Sequence, residues 1–179
     1  MKLQIIYEGN PILRNVSSEV EVFDDKLAEL LDEMQDLMKS SRGVGIAAPQ
    51  VGKNIRAFIV NVGDKVVEYI NPTVTEQEGE QSGVEGCLSV PGRMGVVTRP
   101  KVIKGFAFNR KGERFEFEAK DLEARAILHE NDHLDGVLYT DKATKIFSKK
   151  RLILRTVLVT AGVIAVLGAV VITLFSIFN

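Results

Sequence analysis

Two histidines one helical turn apart, with a glutamate beside the first, are the side chains best suited to chemistry. The chain reads His129-Glu130-Asn131-Asp132-His133 and holds no other histidine. In this H-E-x-x-H pattern the imidazoles can chelate one metal ion while the glutamate acts on a water molecule beside it. The pattern continues an apolar series, Leu122, Ala126, His129 and His133, at i, i+4, i+7 and i+11, which puts both histidines on the inward face of a helix. Two imidazoles leave a catalytic site one protein ligand short. Beyond His133 there is neither glutamate nor histidine; Tyr139 stands where the longer H-E-x-x-H-x-x-G-x-x-H pattern needs its last ligand, and Asp135 and Asp141 sit at the helix exit. The third ligand must come from upstream, where the single cysteine, Cys87, is the soft, deprotonatable candidate.

The helix carrying the histidines is predicted over Asp121–Asp135 and is ended by Gly136. A second helix is predicted over Phe23–Ser40, where Leu27, Leu30, Leu31, Met34, Leu37 and Met38 recur at three- and four-residue intervals behind Asp24 as N-cap. Residues Ser41 to Gly52 read as a glycine-punctuated loop that lets backbone approach another group closely. Strands are expected over Ile55–Val62 and Val66–Ile70, and a hairpin over Lys101–Asn109 and Glu113–Ala119, where Phe115, Phe117 and Ala119 alternate. The polar stretch from Asn71-Pro72 to Gly86 is expected to be a long surface loop. The fold class expected is α+β, with antiparallel sheets around the histidine helix and an apolar helix at the C-terminal end.

Composition divides the chain in three. Residues 142–155 carry six basic groups and no acid, so residues 1–141 hold 17 of the 23 basic groups against all 24 acidic ones, a balance of −7 within an overall charge of −1. Residues 156–178 contain no charge and 17 apolar residues. The parts expected are a catalytic domain over 1–147, a basic collar over 148–155 and a transmembrane helix over 156–178. At about 1.5 Å per residue such a helix spans roughly 35 Å, enough for a hydrocarbon layer of about 30 Å, and the collar keeps the body on the cytoplasmic side. An acidic body argues against a nucleic-acid binder. One cysteine excludes an intrachain disulfide, and the opening Met1-Lys2-Leu3-Gln4 runs straight into patterned sequence, so a cytosol-like space is expected.

Three further stretches bear on the chemistry: Gly43-Val44-Gly45-Ile46-Ala47-Ala48-Pro49-Gln50, Glu85-Gly86-Cys87-Leu88-Ser89-Val90-Pro91-Gly92, and His129 to Gly136. In order and spacing they resemble the signature motifs of the peptide deformylases, and Gly9-Asn10-Pro11-Ile12-Leu13-Arg14 is similar to that family too. The resemblance covers roughly residues 3–147. It implies that Cys87, His129 and His133 hold one divalent metal, Fe2+ or alternatively Zn2+, and that Glu130 is general base and acid. It further implies that Gln50 and the Leu88 backbone N–H hold a developing oxyanion and that Gly45 hydrogen-bonds the substrate backbone. Val44, Leu88, Ala126 and His129 are candidates to line a pocket for a methionine side chain. Glu85, Arg99 and Asp132 are candidates to orient the ligands. Two positions depart from the family's habit: Leu128 stands in place of a common glutamine, and Glu123 in place of a common leucine.

The activity implied is removal of the formyl group from N-formylmethionine on nascent peptides, near ribosomes and at the cytoplasmic face of a membrane. The competing readings are a non-catalytic, membrane-tethered peptide-binding relative and a general metallopeptidase, the latter disfavoured by the missing downstream ligand.

Overall fold

The computed structural model describes residues 3–63 and 65–148. In chain order the elements are α1 (Asp25–Ser40), β1 (Gly45–Ala47), β2 (Ala57–Val62), β3 (Lys65–Glu78), β4 (Gln81–Cys87), β5 (Val90–Arg99), β6 (Val102–Phe108), β7 (Arg114–Lys120), α2 (Asp121–Leu134), α3 (Tyr139–Lys142) and β8 (Lys145–Ser148). All strand pairs in the two sheets are antiparallel; the larger sheet has the order β1-β2-β3-β6-β7 and the smaller β4-β5-β8. This is the mixed architecture of helices and antiparallel sheets expected from the sequence.

The larger sheet is covered on both faces, which explains why β2 reads Ala-Phe-Ile-Val without alternation. Phe58 and Val60 face a core shared with Ala126, Ile127 and Leu134 of α2, whereas Ala57 and Ile59 face a core shared with Leu31, Met34 and Met38 of α1. Asp24 caps α1 as anticipated, its Oδ1 accepting from the Leu27 N–H at 3.0 Å. Between Ser41 and Gly52 the expected loop contains β1 and one turn of 3₁₀ helix, Ala48–Val51, both almost wholly buried.

The stretch from Asn71 to Gly86 is not a loop. It supplies the second half of β3 and most of β4. Asn71-Pro72, which reads as a loop opening, is a bulge in β3: the register with β6 shifts between Ile70 and Thr73. There the proline's missing N–H costs no ladder bond. Asn71 takes a φ of 48° and its side chain bonds the Val20 N–H and C=O at 2.8 and 2.9 Å. The polar composition arises because the end of β3 exposes its glutamates to solvent, while β4 pairs with β5 along its length and turns only alternate side chains away from solvent.

Among the described residues no helix is long and apolar enough to cross a membrane. The predicted apolar helix 156–178 and almost all of the collar lie outside the described residues.

Candidate metal centre

α2 runs between the larger sheet and the smaller one and carries His129, Glu130 and His133, all buried. β4 ends on Cys87, and its hairpin with β5 turns through Leu88-Ser89, with Cys87 paired to Val90. The sulfur therefore arrives beside the helix from the opposite sheet. Cys87 Sγ lies 3.2 Å from His133 Nε2, and the candidate ligand atoms of Cys87, His129 and His133 all fall within 4.8 Å of one another. Two imidazoles and a thiol converging in this way suit a metal with three protein ligands and an open position. The donors fit: a thiol and two imidazole nitrogens converge on one point, and beside them Glu130 Oε2 is buried without a hydrogen-bond partner, a lone acceptor that a cation's water would satisfy.

The ligands are held from behind by a buried ionic network. His129 Nδ1 lies 2.9 Å from Glu85 Oε2. Arg99 grips the same carboxylate with two bonds of 2.6 and 2.8 Å, and Arg125 adds a third at 2.6 Å. Arg99 also reaches Asp132 at 2.9 Å, which in turn accepts from Lys142 at 2.6 Å. Burial disfavours the Glu85 carboxylate, but Arg99 and His129 outweigh it and hold its pKa well below the ordinary range. For His129, burial opposes protonation, yet the bonds to Cys87 and Glu85 prevail and raise its pKa. Burial lowers that of His133, helped by repulsion from His129. Fixing Nδ1 of His129 on Glu85 fixes the ring and leaves the other nitrogen facing the sulfur.

Glu130 is 4% exposed, and burial raises its pKa to about 7 against the opposing attraction of His129 and Arg99. A carboxyl so placed is suited to exchanging protons near neutral pH. Gly45 lies against it, and any side chain at that position would strike the Glu130 carboxylate. Gln50 is oriented at both ends. Its Oε1 accepts from the Ala47 N–H at 2.8 Å, which turns Nε2 towards Cys87 Sγ at 3.3 Å and Ser89 Oγ at 3.2 Å.

A cleft of about 610 Å³ opens onto these groups, and Val44, Gly45, Gln50, Leu88, Ala126, His129 and Glu130 all line it. Leu122, expected on the buried face of α2, is instead 57% exposed at the cleft wall, because the first turn of the helix borders the opening rather than the core. Arg125, Ser89 and Lys142 were missed by sequence reasoning. For Arg125 a signal was available: it sits four residues before His129 on α2, and an inward arginine needs an inward acid. Leu128 packs in the core shared with the larger sheet.

A family model described as polypeptide deformylase matches residues 2–149. The chain belongs to this family. Peptide deformylase of Acetivibrio thermocellus is 50% identical over 138 residues, covering 77% of this chain and 81% of that one. Peptide deformylase 1 of Bacillus subtilis is 48% identical over 151 residues, 83% of this chain and 94% of the relative. Among solved deformylase structures, that from Thermotoga maritima matches with a TM-score of 0.79 at 38% identity, covering 81% of this chain and 99% of the other. One from Synechococcus elongatus, in complex with actinonin, matches with a TM-score of 0.78 at 34% identity over 80% of this chain and 79% of that one.

Proposed function

We infer that the chain is a peptide deformylase, a metal-dependent hydrolase that removes the formyl group from N-formylmethionyl peptides as formate and frees the amine. The observation that carries this, beside membership of the family, is a metal-binding triad with a buried, partnerless glutamate at its side. Cys87, His129 and His133 would hold the ion; the thiolate makes the set soft enough for ferrous iron as well as zinc, and iron is the metal we propose. A divalent ion there supplies Lewis acidity, acidifying water from a pKa of about 15.7 towards about 7.

The chain's own groups do the rest. Glu130 takes a proton from the attacking water and later delivers it to the leaving nitrogen, and its raised pKa fits both halves of that task. Gln50 Nε2 and the Leu88 N–H donate to the formyl oxygen as charge builds there. Because Gln50 is anchored through Oε1, its donor is in place beforehand, and such a donor is commonly worth about 2.7–4 kcal/mol. Gly45 offers backbone to the peptide while leaving room for Glu130. Val44, Leu88, Ala126 and His129 receive the methionine side chain.

An anaerobic preparation given formyl-Met-Ala-Ser tests this reading. Release of formate with the peptide bonds intact is expected. Internal cleavage would make the chain a peptidase, and binding without turnover would make it a non-catalytic relative.

For residues 156–178 we propose a single membrane-spanning helix that holds the enzyme at the cytoplasmic face, near emerging chains. The support is their length, their lack of charge and the basic residues that precede them.

A further inference from the structure

The smaller sheet has one face turned to the core and one that nothing among the described residues covers. Inward lie Glu85, Val97 and Arg99, all buried. The register assigns the other face: Val84 opposes Val96, Met94 opposes Phe147, Lys145 also opposes Val96, and Ser82 opposes Thr98, their hydroxyls 2.7 Å apart. Its centre is therefore Val84, Met94, Val96 and Phe147. Val84 is 44% exposed, and the other three are half-buried. Lys145 stands exposed at the edge of this patch. The register makes these four side chains neighbours, so the apolar surface they leave open is contiguous rather than scattered, the kind that serves contact.

The chain itself indicates what meets that face. β8, a strand of this sheet, ends at Ser148. Seven residues follow before Thr156, of which Lys149, Lys150, Arg151 and Arg155 are basic. Fully extended, seven residues reach at most about 25 Å. If the apolar run 156–178 enters a bilayer, the sheet carrying the open face is tethered within that distance of the lipid, on the side where the basic residues meet anionic headgroups.

We propose that the outer face of the smaller sheet docks on an anionic lipid surface, with Val84, Met94, Val96 and Phe147 at headgroup level and Lys145 beside the phosphates. The inference rests on the anchor proposed above and deepens it, since it orients the body. Val84 and Met94 also line the cleft, so docking sets the cleft mouth at the membrane surface. The substrates favoured are then formylated N-termini lying along that surface.

The chain contains no tryptophan, so Ser82→Trp, Val84→Trp and Val22→Trp each install a single fluorophore. Positions 82 and 84 lie on the docking face. Val22, 65% exposed, adjoins Phe23, which packs on Gly112 at the far end of the larger sheet. Full-length protein is placed in phosphatidylglycerol/phosphatidylcholine vesicles containing brominated phosphatidylcholine and washed at alkaline pH. The reporters at 82 and 84 are expected to lose emission, because docking brings them to the depth of the headgroup/acyl boundary, while the reporter at 22 keeps its emission. Lys145→Glu is expected to lessen the loss at 84. Protein that survives the wash with both face reporters unquenched overturns the docking and leaves the anchor standing. Protein that washes off the vesicles overturns both.

Discussion

At the level of single residues, the site depends on how a few buried charges are matched. Glu85 receives Arg99, Arg125 and the His129 ring at once. Replacing it by alanine leaves buried Arg125 without a carboxylate and Arg99 with Asp132 alone, and a loss of about 3–5 kcal/mol of stability is expected from urea denaturation. The milder Glu85→Gln keeps the volume and unlocks the His129 ring; titration with a competing chelator should show metal affinity falling about 10–100-fold. Glu130 has the opposite electrostatics. Its folded pKa, about 7, stands above the ordinary 4.5, so the folded state keeps a proton that the unfolded chain releases between those values. Metal-free protein is therefore most stable below about pH 4.5 as far as this group is concerned, and loses about 3 kcal/mol as pH rises through 7. Denaturation of metal-free Glu130→Gln across the same window should lack that component.

At the level of elements, helices were easier to read than strands. The three- and four-residue recurrence of α1 and the His129/His133 spacing of α2 are local patterns, and they predicted both helices to within a residue or two. The first half of β3 was read as a strand, but its second half and β4 escaped because they carry Glu, Gln and Gly, and because the bulge at Asn71-Pro72 breaks the alternation on which strand recognition depends. The triad was legible, since its residues are rare and chemically distinctive. The brace was legible only in part: Glu85, Arg99 and Asp132 were singled out, but the partners Arg125 and Lys142 are set by pairings across different elements. The fit of β1 against α2 gives a sharp prediction. Gly45→Ala inserts a methyl group into the space of the Glu130 carboxylate, and displacing a catalytic group by about 1 Å commonly costs about 10²-fold in rate. Steady-state assays should show kcat falling to that extent with metal content unchanged. On the other side of the sheet, Met34→Ala should cost about 2–5 kcal/mol in urea while sparing the site, because Met34 packs in the α1 core.

Across the whole molecule, two unlike parts are joined: a body with a charge of −7 over residues 1–141, and a basic, then apolar, C-terminal portion. Their opposite charges give an overall value of −1 that describes neither. If the apolar portion spans a membrane, full-length protein should sediment with membranes after gentle lysis and resist alkaline extraction, whereas a chain ending at Lys150 should appear in the supernatant. Equal partitioning of the two would remove the anchor from the account.

The central claim is that one buried glutamate beside a Cys/His/His centre performs deformylation. It is tested most directly by anaerobic formate release from formyl-Met-Ala-Ser, comparing wild-type protein with Glu130→Gln loaded to the same metal content. The account predicts steady formate release from the wild type and a fall of about 10²–10⁴-fold in kcat for the variant. A variant that releases formate within a few-fold of the wild-type rate, at equal metal content, would contradict it.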